Sequence, residues 1–127
     1  MKVGYFNVAK NNSEDCFTMI DIKDELQVYY DLIDCGTIDI VTRKVGDNHY
    51  NFVVDGEGLL KDNITMGAMT LDCNDGLAGS FIITNSCGPD LTSLTEDDFE
   101  YIKRHIGIAK YPNGTKKYML ILNNAVS

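Results

Sequence analysis

Along the chain, short stretches in which apolar and polar residues alternate give way twice to stretches in which apolar residues recur every three or four positions. "MKVGYFNVAK" carries Val, Tyr and Phe at near-alternating positions and reads as a strand. The turn-rich "NNSED" follows, then a second strand at "CFTMIDI", so the two are expected to pair as a hairpin. From Asp21 onward, Ile22, Leu26, Tyr29, Tyr30 and Ile33 follow helical spacing, with Asp21 as N-cap and Gly36 as C-terminal stop. "TIDIVTRKV" and "HYNFVVD" flank "GDN", a hairpin signal in which Gly46 and Asn48 suit positive φ. Strand periodicity places Asp39, Val41, Arg43 and Val45 on one face and Ile38, Ile40, Thr42 and Lys44 on the other.

The section "GEGLLKDNITMGAMTLDCNDG" is broken by glycines at 56, 58, 67 and 76, and predicts a loop with one or two short strands. "LAGSFIITNS" is rich in β-branched and aromatic residues and reads as one strand, leading through the loop "CGPDLTS" into a second helix. That helix is well marked. Thr95 is its N-cap with Asp98 three residues on, and Leu94 and Phe99 occupy the positions of a hydrophobic staple. Glu96, Asp97 and Asp98 sit at the positive end of the helix dipole and Lys103, Arg104 and His105 at the negative end. Phe99, Ile102 and Ile106 form its apolar stripe, and Gly107 is placed as the left-handed C-terminal residue. "IAKY" and "KKYMLILN", joined through "PNGT", complete a C-terminal hairpin. The fold class this implies is α+β, a mainly antiparallel sheet with two α-helices, in a single domain spanning 1–127. An apolar strand such as "KKYMLILN" at the end of the chain needs covering or pairing, which predicts a homodimer or larger homo-oligomer.

Charge changes this picture. All 19 Asp and Glu lie in residues 1–100 beside six Lys and Arg, a balance of −13, whereas residues 101–127 hold five Lys and Arg and no acid, +5. A net charge of −8 disfavours duplex nucleic acid, but a local basic region leaves room for a small anion. No apolar run is long enough for a membrane span and the start is too polar for a signal peptide, so the expected location is cytoplasmic. Cys16, Cys35, Cys73 and Cys87 form no C-x-x-C pair and read as buried thiols.

Catalytic motifs are not in evidence. "DCNDGLAGSFII" departs from a calcium loop because Gly76 is its fifth residue and Ile83 its twelfth. His49 and His105 lack metal-pair spacing, there is no nucleophile elbow, and the glycines match neither phosphate-loop pattern. No catalytic residue, metal or cofactor is expected. Binding chemistry is better represented. Arg43 and Arg104, the only arginines, can fork a phosphate; Phe81 or Tyr101 can stack on a base; and Asn85, on the Phe81 face four residues on, can read a polar edge. Each has an ordinary role beside this one: Phe81 as core, the arginines as solvated surface groups, Arg104 as a complement to the helix dipole.

The succession "DELQVYYDLI", "TIDIVTRKV", "FVVDGEGLL", "LAGSFIITN" and "SLTEDDFEYIKRHI" resembles a family of small uncharacterised domains of phages and mobile elements. It is also similar to the first-described type of phage Thoeris anti-defence protein, sponges for the cyclic ADP-ribose isomer made by bacterial TIR-domain enzymes. The likeness covers roughly residues 1–107. It implies a protein of the host bacterial cytoplasm that is no enzyme and assembles from dimers. Its ligand, a cyclic nucleotide, would lie between subunits against Phe81, Asn85 and Arg104, with Arg43 as a second anion contact. A contrasting reading is an acidic DNA mimic that blocks a basic host nucleic-acid-binding defence protein.

Overall fold

The computed structural model describes residues 1–58, 65–72, 75–110 and 112–123. Strands β1 (Lys2–Phe6) and β2 (Phe17–Asp21) form the expected antiparallel hairpin, and their connection is built from two short 3-10 turns capped by Asn7 and Ser13. Helix α1 (Leu26–Ile33) starts after Glu25, not Asp21, because Asp21 remains paired in β2 opposite Lys2. It stops at Asp34, whose φ of 58° takes the left-handed conformation expected of Gly36; Asp is among the few residues that tolerate it. β3 (Ile38–Val45) and β4 (Asn48–Asp55) pair along their whole length across the two-residue turn Gly46–Asp47. Positive φ falls on Gly46, while Asn48 is already in the strand.

The glycine-rich middle yields two short strands, β5 (Met66–Thr70) and β6 (Gly76–Ala78); residues 59–64 and 73–74, Cys73 among them, lie outside the described residues. The single strand expected over "LAGSFIITNS" is two. Leu77 and Ala78 belong to β6, the chain breaks direction at Gly79 (φ 79°), and β7 (Phe81–Cys87) begins in another sheet. The loop expected at "CGPDLTS" holds a short strand, β8 (Asp90–Thr92), paired back onto β7. Helix α2 (Glu96–Lys103) carries the full Thr95–Asp98 capping box. Its end differs from expectation: Arg104 is the C-cap, His105 N bonds Ile102 O at 2.9 Å, and Ile106 and Gly107 open strand β9 (Ile106–Lys110), which pairs with β10 (Lys116–Leu122).

The result is an α+β fold of mainly antiparallel pairing with two helices. The larger sheet runs β2-β1-β7-β4-β3 with β8 attached to β7; the smaller runs β6-β5-β10-β9, where β5 and β10 are parallel. β10 is therefore an interior strand. Its apolar character is answered within the chain by β5 and β9, which removes the reason to expect an exposed edge there.

Each strand of the larger sheet sends alternate residues to opposite faces. Val3, Tyr29, Ile33, Val53 and Ile82 form a core against α1. Phe6, Phe52, Phe81, Ile83 and Val45 form the other, shared with Ala68, Leu77, Leu120 and Leu122 of the smaller sheet and Ile102 of α2. The thiols divide accordingly: Cys16 is buried, Cys35 half-buried and Cys87, at the outer end of β7, exposed, so burial does not extend to all of them.

Three elements meet at Gly46. Asp47 N donates to the Tyr101 hydroxyl at 2.8 Å, Asn123 Nδ2 donates to Gly46 O, and a Cβ built on Gly46 would lie 2.8 Å from Tyr101 Cζ. Gly114 also has positive φ, 86°, but faces open space. Gly46→Ala therefore incurs both backbone strain and a clash, Gly114→Ala backbone strain alone. The expected loss is about 1–2 kcal/mol for Gly114→Ala and distinctly more for Gly46→Ala, measured by urea denaturation.

Candidate functional site

Within one chain, the four residues expected to share a ligand line no common cleft among the described residues. Phe81 is fully buried, its ring stacked on Phe6 at 5.0 Å and tilted against Phe52 at 5.5 Å. It has no exposed ring face to offer a base, because β7 runs through the middle of the larger sheet. Arg43 points from β3 toward the smaller sheet, its Nε 3.4 Å from Asp75 Oδ2 and its Nη1 donating to Thr42 O at 3.0 Å. The alternative stacking residue, Tyr101, is engaged with the Gly46–Asp47 turn and lies 5.0 Å from the His105 ring. His105 Nδ1 is 2.9 Å from Tyr101 O, and His49 is exposed on β4. Arg104 is exposed at the end of α2.

Asn85 belongs to a network centred on Asp98. The Asp98 carboxylate accepts from Asn85 Nδ2 (2.8 Å), Thr95 Oγ1 (2.9 Å), Thr95 N (3.2 Å) and the Tyr50 hydroxyl (3.2 Å), tying the start of α2 to β7 and β4. Burial pushes this carboxyl upward, but the hydrogen bonds from Asn85, Thr95 and Tyr50 outweigh it and hold Asp98 below its ordinary value of 3.8. The charge the sequence assigns to a helix cap is thus also a bolt between layers. Asn85 donates its Nδ2 into the structure, to Asp98 and to Ser93 O at 3.3 Å.

Concave surface lies elsewhere. A cleft of about 390 Å³ opens between the end of α1 and the β6–β7 break, lined by Asp31, Asp34 and Asp55 with Asn7 and Ser80; its carboxylates oppose phosphate. A shallower hollow of about 530 Å³ beside it repeats Asp31 and Asp34. At the tip of the β9–β10 hairpin an open hollow of about 590 Å³ is lined by Pro112, Asn113, Thr115 and Lys117. The fourth cleft, about 160 Å³, is different in kind. Phe17, Ile106 and Tyr118 give it an apolar, aromatic wall, and Lys103 and Glu14 line it with one charge of each sign. α2 delivers Lys103 there because Ile102, the preceding residue, is locked in the core, and Phe17 is fixed by stacking on Phe99 at 4.8 Å. None of Arg43, Phe81, Asn85 or Arg104 lines these four clefts.

A family model, the domain of unknown function DUF3846, matches residues 7–107. The chain belongs to the DUF3846 family. No curated protein and no solved structure matches it. The DUF3846 match takes in Asp98 and its partners Tyr50, Asn85 and Thr95, and in the aromatic cleft Glu14, Phe17, Lys103 and Ile106; Tyr118 falls beyond it. The sequence assigns Lys103 to the basic end of its helix, but the pairing of β10 with β9 that brings Tyr118 alongside has no local signal. Among the described residues of this DUF3846 domain, no group of three or more His, Cys, Asp and Glu is placed to hold a metal ion, and no helix is long and apolar enough to cross a membrane.

Asp98→Asn removes the charge and cannot accept all four bonds. Because the folded value is depressed, the wild-type carboxylate contributes stability that is present above 3.8 and lost as pH falls through its lower folded value. Asp98→Asn is expected to lose about 1–3 kcal/mol near neutral pH and to show a flatter acid limb in thermal melts taken from pH 6 downward.

Proposed function

We propose that this protein is a non-enzymatic binding protein that sequesters a cyclic nucleotide immune signal, a cyclic ADP-ribose isomer or a relative, in the bacterial cytoplasm, and so acts as an anti-defence protein of phage type. The observation that carries the reading is the cleft at the end of α2, where a cation, Lys103, lies against the aromatic and apolar wall of Tyr118, Phe17 and Ile106. A base needs such a wall, a phosphate needs such a cation, and the acid-free segment from residue 101 onward supplies Arg104 next to Lys103. The negative end of the helix opposes a phosphate by about 0.3–1 kcal/mol and Glu14 in the lining adds to that opposition, so the phosphate must sit on the Lys103 side, where a charge-assisted hydrogen bond is worth roughly 1.5–3 kcal/mol. At about 160 Å³ the cleft takes one base and leaves the rest of a cyclic nucleotide outside, which agrees with a ligand shared between copies of the chain in a homo-oligomer.

The contrasting reading, an acidic mimic of DNA, is favoured by a different observation. Asp24, Glu25, Asp31 and Asp34 are all exposed along and beside α1, and two of them line the carboxylate clefts. Such a face would meet a basic nucleic-acid channel and ignore nucleotides.

Calorimetry with a panel of cyclic nucleotides separates the two. Binding is expected, with the ligand recovered chemically unchanged after heat denaturation. Lys103→Ala and Tyr118→Ala are each expected to weaken it by about tenfold to a hundredfold, and Arg104→Lys to weaken it where the guanidinium forks a phosphate. No heat with any nucleotide would sink the sponge reading in favour of the mimic. A chemically altered ligand would make the protein an enzyme.

A further inference from the structure

Sheet order leaves β3 on the outer edge of the larger sheet, with β4 its neighbour among the described strands. Backbone groups of an edge strand point alternately toward and away from its partner. Thr37 O accepts from Gly56 N, just past the end of β4, while Lys44 O accepts from Asn123 N, which lies beyond β10. The odd-numbered residues therefore face β4 and the even-numbered ones point outward; Asn123 covers the outer side of Lys44, and among the described residues Ile38, Ile40 and Thr42 are left to direct their N–H and C=O groups to an open edge. Natural edge strands are guarded by Pro, by charge or by brevity. β3 is eight residues long and holds no Pro; its outward-facing charge, Lys44, lies at the end that Asn123 covers, whereas Ile40 in the open stretch carries a side chain that is 53% exposed.

The strand is complementary to itself. Set antiparallel to a copy and centred on Val41, it places Val41 opposite Val41, Ile40 opposite Thr42, and Asp39 opposite Arg43, the last two pairings occurring twice. The outward-facing residues Ile40 and Thr42 then form the hydrogen-bonded pair, as the alternation requires. Centring on Ile40 or on Thr42 instead sets Asp39 or Arg43 opposite Val41, so the charges select one register. Asp39 is exposed, and the Arg43 side chain is 32% exposed, with Nε toward Asp75 and Nη1 toward Thr42 O, two of its five N–H donors. Enough of the guanidinium fork remains for a second carboxylate.

We infer that β3 is a homodimer interface: two copies pair through Asp39–Arg43 about Val41, inside the end at Lys44 that Asn123 covers, joining two six-stranded sheets into one, with reciprocal Asp39–Arg43 ion pairs. The inference deepens only the assembly part of the proposed function, and it gives Arg43 a partner in a second chain in place of a ligand. The nucleotide cleft stands or falls separately.

Light scattering on the full chain at micromolar concentration should show a dimer. Ile40→Lys, at an exposed position, should leave the melting temperature of the fold in place while weakening the dimer by on the order of tenfold or more. Register is read by oxidative cross-linking, with the wild type as control for the native thiols. Val41→Cys should link to its counterpart across the two-fold axis, Ile40→Cys alone should not, and Ile40→Cys with Thr42→Cys should. A monomeric wild type, a dimer indifferent to Ile40→Lys, or linking by Ile40→Cys but not by Val41→Cys overturns the interface or its register. Nucleotide titration of Ile40→Lys separates the two claims: loss of the dimer with binding retained supports this interface independently of the cleft, and binding without any wild-type dimer sinks this interface and leaves the cleft standing.

Discussion

Phe81 has water on neither side, and much of the architecture follows from that. β7 holds the centre of the larger sheet, with Phe81 and Ile83 directed at the smaller sheet and Ile82 at α1, all fully buried. Truncating a buried aromatic of this kind removes about 3–5 kcal/mol, a large part of the stability of an ordinary domain. To bring the smaller sheet over the Phe81 ring, β5 passes so close that a Cβ on Gly67 would lie 2.6 Å from Gly79 O and 2.9 Å from the ring. The break at Gly79, which sends one apolar run into two sheets, belongs to the same constraint.

Electrostatics then divides the molecule by function. The acidic body holds its carboxylates mostly in solvent, but Asp98 is drawn inward, where four hydrogen bonds make it a fastening between α2 and two strands. With its first turn fixed in that way and Ile102 in the core, α2 presents Lys103 and Arg104 at its far end, within a stretch, residues 101–127, that holds no Asp or Glu. One helix thus carries a structural anchor at its positive end and, at its negative end, Lys103 in the lining of the aromatic cleft. The charge pattern that satisfies the dipole is compatible with both.

Much of the fold was legible because its signals are local. The Thr95–Asp98 capping box, the turn at Gly46 and the alternation of β3 depend on neighbours within a few residues. Errors arose where a local rule had two solutions. Asp34 and Gly36 are both able to end α1, and Asp34 does; Gly107 suits a left-handed stop, yet it lies in β9 with Ile121 packed against the position a Cβ would take. The candidate site was legible only in part. Lys103 was legible as part of the basic end of α2, but Tyr118 and Phe17 reach it from strands far away in sequence, while the Phe81 ring is taken up by packing and the Asn85 amide donates to Asp98.

The sequence by itself determined the class of fold, the two helices, the hairpins and the segregation of charge, since periodicity, caps, turns and composition are properties of short stretches of chain. Only the tertiary structure decided that β10 is interior, that Phe81 is core, that Arg43 answers Asp75, and that β3 is an edge. These are outcomes of pairing between distant strands. An alternating apolar segment fits an edge, a central strand or a second sheet equally well, and which one it joins is fixed by the total area buried when all the layers close together.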